Sequence, residues 1–143
     1  MLSNPYLQYR RTQAETADPG ELVVLLYEGA IRFLQRATLA IKAGDAQAAH
    51  DALVRSQDII NELNVSLDHS RGGIADNLAR LYEYMYWRLV QANCQKDLAA
   101  IEDVIGLLRE LLPAWQEAVR ANRRRQAEPA RPVSFSQVPV RAG

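Results

Sequence analysis

The 143-residue sequence predicts an all-α protein, an antiparallel up-down-up-down four-helix bundle. Four segments repeat apolar residues at spacings of three and four, which is typical of amphipathic helices. Five of the six prolines lie in the first twenty or the last fifteen residues, and only Pro113 interrupts the middle. The middle is rich in Ala, Leu, Glu, Gln and Arg, which favour helices. Short links between the segments place successive helices antiparallel.

The first helix is predicted over residues 18–42. Asp18 can cap its N-terminus, Pro19 fits the first helical position, and Glu21 stands where a capping box has an acid. The dipeptide Gly44-Asp45 then supplies a helix stop and a new N-cap. This helix has two apolar stripes rather than one: Leu22, Leu26, Gly29, Phe33, Ala37 and Ala40, and Val23, Tyr27, Ala30, Ile31, Leu34 and Ile41.

The second and third helices are predicted over residues 45–67 and 74–95, separated by a break at Ser70-Arg71-Gly72-Gly73. The core side of the second is predicted as Ala49, Ala52, Ser56, Ile59, Ile60, Leu63 and Leu67. The core side of the third is predicted as Ile74, Leu78, Leu81, Met85, Leu89 and Ala92.

The fourth helix is predicted over residues 97–122 and has the most regular apolar seam, formed by Leu98, Ile101, Ile105, Leu108, Leu112, Trp115 and Val119. Pro113 removes one backbone hydrogen bond, so we expect a kink there. The bundle domain thus covers residues 18–122. Residues 1–17 form a short N-terminal arm, and residues 123–143 form a basic, Pro-containing tail that we expect to be disordered.

Charge and composition exclude several classes of protein. Residues 1–119 carry 11 Lys and Arg against 16 Asp and Glu, whereas residues 120–143 carry six arginines against one acid, Glu128. The acidic body predicts no nucleic-acid partner. No apolar run is long enough for membrane insertion, and no signal peptide is recognisable. Cys94 is the single cysteine. We therefore expect a cytoplasmic protein.

The sequence also contains no recognisable catalytic or metal-binding motif. A di-metal site in a helix bundle requires Glu-x-x-His, but Gln47 and Ser66 stand three residues before His50 and His69. A phosphate loop, a dinucleotide fingerprint and Gly-x-Ser-x-Gly are all lacking. We therefore predict that the protein is not an enzyme, has no metal or other cofactor and binds no small-molecule substrate.

More apolar residues are present than one bundle face per helix requires. Besides the second stripe of the first helix, the surplus comprises Tyr82, Tyr86, Val104, Leu107 and Leu111. A tightly packed bundle with half-exposed aromatic residues is one explanation. A surface for helix-in-groove recognition of a partner is the other, and we favour it because soluble monomers seldom expose large apolar patches. A homodimer, or an adaptor with a different helical partner, remains the alternative function.

Five segments together resemble the FliS family of flagellar secretion chaperones: NPYLQY, ADPGELVVLLYEGAIRFL, IINELNVSLD, GGIADNLARLYEYMYWRLVQAN and AIEDVIGLLRELLPAW. They cover about residues 4–119 in order. Pro113 and the basic tail depart from the family pattern. The resemblance implies an antiparallel helix bundle that binds the C-terminal region of flagellin, which is disordered in the monomer and forms helices in apolar grooves as it wraps the bundle.

The resemblance further implies that the chaperone–flagellin complex is recognised by the export gate protein FlhA. It also suggests that the N-terminal tyrosine segment covers apolar surface until flagellin arrives. From the apolar surplus and the resemblance together we predict the following partner-binding residues: Tyr6, Leu7, Tyr9, Leu22, Leu26, Tyr27, Ile60, Leu63, Leu67, Tyr82, Met85, Tyr86 and Leu89.

Overall fold

The computed structural model describes residues 18–127, and within that range it contains helices and no strand. The four helices are α1 (Pro19–Lys42), α2 (Ala46–Val65), α3 (Gly73–Gln95) and α4 (Leu98–Ala127), with a short 3₁₀ helix at His69–Arg71 before α3. The predicted all-α four-helix bundle is confirmed. The predicted arm, with Tyr6, Leu7 and Tyr9, and residues 128–143 lie outside the described residues.

The first two helices begin where the sequence predicts. The Asp18 carboxylate accepts a hydrogen bond from the backbone N–H of Glu21 at 2.9 Å, and Pro19 follows it as the first helical residue. The Asp45 carboxylate accepts one from the N–H of Ala48 at 3.0 Å. Gly44, between the two helices, has a φ of +75°, a conformation that glycine adopts without steric cost.

The four helices form a ring in which each helix packs on the two helices beside it. Helix α1 contacts α2 and α4, and α3 contacts α2 and α4, so that α1 and α3 lie diagonally across the core. The pair α1/α2 makes the most extensive contact. Both helices bury small residues, a composition that permits two helix backbones to approach closely; they are Gly29, Ala30, Ala37, Ala49 and Ala52.

Both apolar stripes of α1 are largely core. The second stripe was predicted to be left over for a partner, but the structure buries Tyr27, Ala30, Ile31 and Leu34. The off-seam residue Val104 of α4 is also buried, and Leu107 and Leu111 pack against the core from its edge. Much of the apolar surplus therefore stabilises the bundle itself.

The core face of α3 is rotated relative to the prediction. Ile74 is 73% exposed, whereas Tyr82, predicted to lie beside the core stripe, is 1% exposed. The buried face is Ala75, Tyr82, Met85, Leu89 and Ala92, with Leu78 and Leu81 half-buried at its edge. The expectation for Ile74 was wrong because Ala75, one residue further along the first turn, faces the core instead.

Helix α4 is longer than predicted: it passes through Pro113 and ends at Ala127 rather than near residue 122. Pro113 is exposed, so water can reach the Arg109 carbonyl that lacks its helical donor. Residues 123–127, predicted to belong to a disordered tail, continue the helix. Arg, Gln and Ala favour helix, cations favour a helix C-terminus, and Arg123 pairs with Glu21 at 2.6 Å.

Candidate binding grooves

Two clefts lie along the seam between α1 and α4, and we call them together the α1/α4 groove. The wide cleft has a volume of about 620 Å³ and is lined by Gln35, Thr38, Leu39, Glu102, Ile105, Gly106 and Arg109. The narrow cleft has a volume of about 300 Å³ and is lined by Glu21, Val24, Leu25, Glu28, Gln116, Val119, Arg120 and Arg123. The rise per helical residue places them roughly 20 Å apart along α1.

The wide cleft combines an apolar surface with charged residues at its rim. Leu39 is 68% exposed on its α1 side, and Ile105 lies almost buried on its α4 side. Gly106 presents bare backbone: a Cβ built there meets no atom within 4 Å. Among residues 18–127, neither Glu102 nor Arg109 has an ion-pair partner. The cleft can therefore accept an apolar side chain between two charges of opposite sign.

The narrow cleft has an apolar patch between charged and polar side chains, and polar contacts close it at one end. Val24, Leu25 and Val119 contribute its apolar surface. The Arg123 guanidinium donates to Glu21 at 2.6 Å, and the side-chain amide of Asn122 donates to Asp18 at 3.4 Å. These contacts join the C-terminal part of α4 to the start of α1.

A second pair of clefts lies between α2 and α3, and we call them the α2/α3 groove. One has a volume of about 460 Å³ and is lined by Ile60, Asn61, Asn64, Tyr82, Glu83, Tyr86 and Trp87. The other has a volume of about 300 Å³ and is lined by His50, Gln57, Val90, Asn93, Cys94 and Lys96. Trp87 is 60% exposed and stacks edge-on against Tyr86, with 5.4 Å between ring centroids. This groove is aromatic at one end and rich in amide groups.

The seam between α3 and α4 is joined by a polar cluster. The Tyr84 hydroxyl donates to Asp103 at 2.6 Å, and the Arg88 guanidinium donates to the same oxygen at 3.2 Å. The Tyr84 hydrogen bond, and then the Arg88 bond and charge, hold the pKa of Asp103 below its ordinary value. The α1/α2 seam is closed by close packing. The α1/α4 and α2/α3 grooves therefore lie on opposite sides of the bundle.

A buried pair of tyrosines crosses the core between the two grooves. The Tyr27 and Tyr82 hydroxyls are 2.7 Å apart, which joins α1 to α3 across the diagonal of the bundle. Their rings meet edge to face with centroids 6.4 Å apart, and the ring centroid of Trp115 in α4 lies 6.3 Å from that of Tyr27. Burial raises the pKa of both tyrosines because it disfavours the phenolate.

The structure separates the predicted partner-binding residues into two groups. Leu22, Leu67 and Tyr86 are partly exposed, and Tyr86 lines the α2/α3 groove. The other described members are buried in the core: Leu26, Tyr27, Ile60, Leu63, Tyr82, Met85 and Leu89. Their role in binding stays a prediction; in this closed bundle a partner would contact the surface above them.

Sequence reasoning did not select the side chains most exposed in the grooves. Leu39 and Trp87 are large apolar residues, and Gly106 is a glycine inside a helix. A signal was present for Leu39, because it falls on neither apolar stripe of α1 and so faces away from the core. The same holds for Val24 and Leu25 in the narrow cleft.

Other kinds of site have little support in the described part of the chain. Over residues 18–127 no three or more His, Cys, Asp and Glu side chains are grouped in a way that could hold a metal ion. None of the helices α1 to α4 is both long enough and apolar enough to cross a membrane.

Comparison with known proteins identifies related sequences. The model of the family described as "Flagellar protein FliS" matches residues 2–122. The Bacillus subtilis flagellar secretion chaperone FliS is 35% identical over 123 residues, which is 86% of this chain and 92% of that protein. The Salmonella typhimurium chaperone is 44% identical over 71% of this chain and 77% of its own length. The Escherichia coli chaperone is 38% identical over 73% and 78%.

Proposed function

The chain belongs to the FliS family of flagellar secretion chaperones, and from that premise we propose that it binds the C-terminal segment of flagellin in the α1/α4 and α2/α3 grooves. The occupant is a segment that is disordered before binding and forms short helices on the bundle. The protein acts in the cytoplasm, as a chaperone and not as an enzyme, before flagellin is exported.

The observation that carries this proposal is the placement of two open grooves on opposite seams of one bundle. A rigid globular partner can fill only one of them, because the closed seams lie between. A disordered segment can lie in one groove, cross the bundle and enter the other. Exposed Leu39 and Trp87 offer one large apolar contact in each groove.

The partly exposed members of the predicted set contact the bound segment directly. Tyr86 does so beside Trp87 in the α2/α3 groove, while Leu22 and Leu67 extend apolar surface at the end of the bundle where α1 begins and α2 ends. The buried members hold the helices at the spacing that keeps the grooves open. Among them, Ile60 and Tyr82 form the floor of the α2/α3 groove.

Sequestration explains how binding serves export. A flagellin C-terminal segment held in the two grooves cannot pair with another flagellin, so premature polymerisation is prevented. The complex then presents bound flagellin to the export gate protein FlhA. No bond is made or broken in these steps, and apolar burial supplies the binding free energy.

The test is calorimetric titration of the full chain with a peptide of the flagellin C-terminal segment. We expect binding with a clearly negative heat-capacity change, because folding of a disordered segment on apolar grooves buries apolar area. Leu39→Glu places a charge in the wide cleft without disturbing the core, and we expect it to weaken binding by at least tenfold, about 1.4 kcal/mol. Trp87→Ala makes the same test of the α2/α3 groove.

Val65→Glu is the matched control, because Val65 is 72% exposed but lines neither groove. It should leave the affinity unchanged. Equal effects of Leu39→Glu and Val65→Glu would remove the α1/α4 groove from the proposal. Absence of any binding, together with a stable dimer in light scattering, would instead favour the alternative of a structural homodimer.

A further inference from the structure

We propose that α4 approaches a helix of the bound flagellin segment, the cargo helix, most closely at Gly106. The cargo helix carries a small residue opposite Gly106, and this small residue lies between an acidic and a basic side chain of the cargo helix that are two turns apart. The inference rests on the proposed function and names the chemistry of the segment that the wide cleft accepts.

Gly106 has no evident role in the free bundle. It lies in the interior of α4, where glycine is less favourable than alanine. Its φ is not positive, unlike that of Gly44 and Gly72, so no backbone conformation requires it. A Cβ at this position meets nothing within 4 Å, so no neighbouring helix needs the space. In contrast, a Cβ at Gly20 would lie only 3.2 Å from Val119.

Gly106 also lies in the part of α4 that faces the wide cleft, beside Ile105 and across from exposed Leu39. The distance between packed helix axes is set by the side chains at the contact, and it is shortest where they are small. A third helix placed over Gly106 can therefore lie deep enough to cover both Leu39 and Ile105. A side chain at position 106 would hold it away from both.

The charged residues at the rim of the wide cleft indicate which side chains flank the small residue of the cargo helix. Glu102 and Arg109 stand four residues before and three residues after Gly106, so all three lie on one face of α4, and neither charge has an ion-pair partner within residues 18–127. A cargo helix complements them with a base opposite Glu102 and an acid opposite Arg109.

The test uses Gly106→Ala and Gly106→Leu in the full chain, with thermal unfolding and affinity for the flagellin C-terminal peptide as separate readouts. Gly106→Ala should raise the Tm by about 3 °C, since alanine favours the helix and meets no obstacle. Both variants should weaken peptide binding, Gly106→Leu by roughly tenfold or more. Ala118→Leu places the same leucine side chain at an exposed position of α4 that lines neither cleft, and should leave affinity unchanged.

The charge order is tested with Glu102→Arg. This variant should weaken binding of the wild-type peptide, and a peptide in which the basic residue opposite position 102 is made acidic should recover affinity. If wild-type protein binds the peptide but both Gly106 variants bind equally well, the close approach is refuted while the proposed function stands. If wild-type protein itself does not bind, the proposed function fails first. A lower Tm for Gly106→Ala would overturn the argument that glycine has no structural role.

Discussion

The hydrogen bond between Tyr27 and Tyr82 allows a sharp test of how the bundle is held together. The two hydroxyls are 2.7 Å apart inside the core, where neither side chain is more than 1% exposed. Replacing one tyrosine by phenylalanine keeps the ring and removes a single oxygen. The change therefore isolates the polar contact from the packing of the aromatic side chains.

The expected losses of stability differ between the single variants and the double variant. Tyr27→Phe leaves the Tyr82 hydroxyl buried without its partner, which costs about 2 kcal/mol. Tyr82→Phe likewise leaves the buried Tyr27 hydroxyl without its partner, so we expect a similar loss of about 2 kcal/mol. The double variant removes both hydroxyls together and leaves no orphaned oxygen, so it should lose only about 1 kcal/mol relative to wild type. The coupling between the two sites is thus about 3 kcal/mol.

Equilibrium unfolding in urea, followed by tryptophan fluorescence, measures all four proteins. At about 4 °C of Tm per kcal/mol, Tyr27→Phe should also unfold roughly 8 °C below wild type. Tyr86→Phe is the control, because Tyr86 is a partly exposed tyrosine whose hydroxyl makes no hydrogen bond within residues 18–127, so its loss should leave stability unchanged. If the two single losses simply add in the double variant, the hydroxyls do not act as a pair and the reasoning is refuted.

Two further predictions concern pH and the N-terminal residues. Burial raises the pKa of Tyr27 and Tyr82 in the folded protein. Their contribution to stability is therefore complete below pH 10 and is lost as the pH rises toward the pKa values of the folded state. The urea midpoint of unfolding should fall above pH 10, and it should fall less steeply in the double phenylalanine variant. If Tyr6, Leu7 and Tyr9 compete with cargo, as the family resemblance suggests, deleting residues 1–12 should tighten peptide binding, roughly thirtyfold for a contact of about 2 kcal/mol. Unchanged or weaker binding after that deletion would show that these residues do not compete with cargo.

The fold could be predicted because its determinants are local. The cap at Asp18, the stop at Gly44 and the new cap at Asp45 each depend on residues within one turn, and the structure places all three where the sequence indicates. The end of α4 could not be located in this way. Its last residues continue as helix beside a distant partner, since Arg123 contacts Glu21 at the other end of the chain.

The candidate site was harder to predict. The spacing of apolar residues shows which faces of a helix are apolar, but it does not show how many neighbouring helices cover those faces. Helix α1 has two apolar faces, and both are buried because it packs on α2 and α4 and reaches α3 through Tyr27. In the sequence the tyrosines suggest a partner-binding surface, yet the Tyr27 and Tyr82 hydroxyls form a hydrogen bond with each other in the core. The exposed groove residues are single apolar side chains outside the stripes, which sequence reasoning treats as ordinary surface.

The arrangement separates the residues that stabilise the bundle from those available to a partner. The Tyr27–Tyr82 bond, the Tyr84–Asp103–Arg88 cluster and the close α1/α2 contact join the helices without occupying either groove's open face. Substitution of Leu39 or Trp87 should therefore change affinity with little change in unfolding, whereas substitution of Tyr27 should do the reverse. Because Tyr82 and Ile60 form both core and groove floor, the α2/α3 groove is the place where stability and binding are coupled.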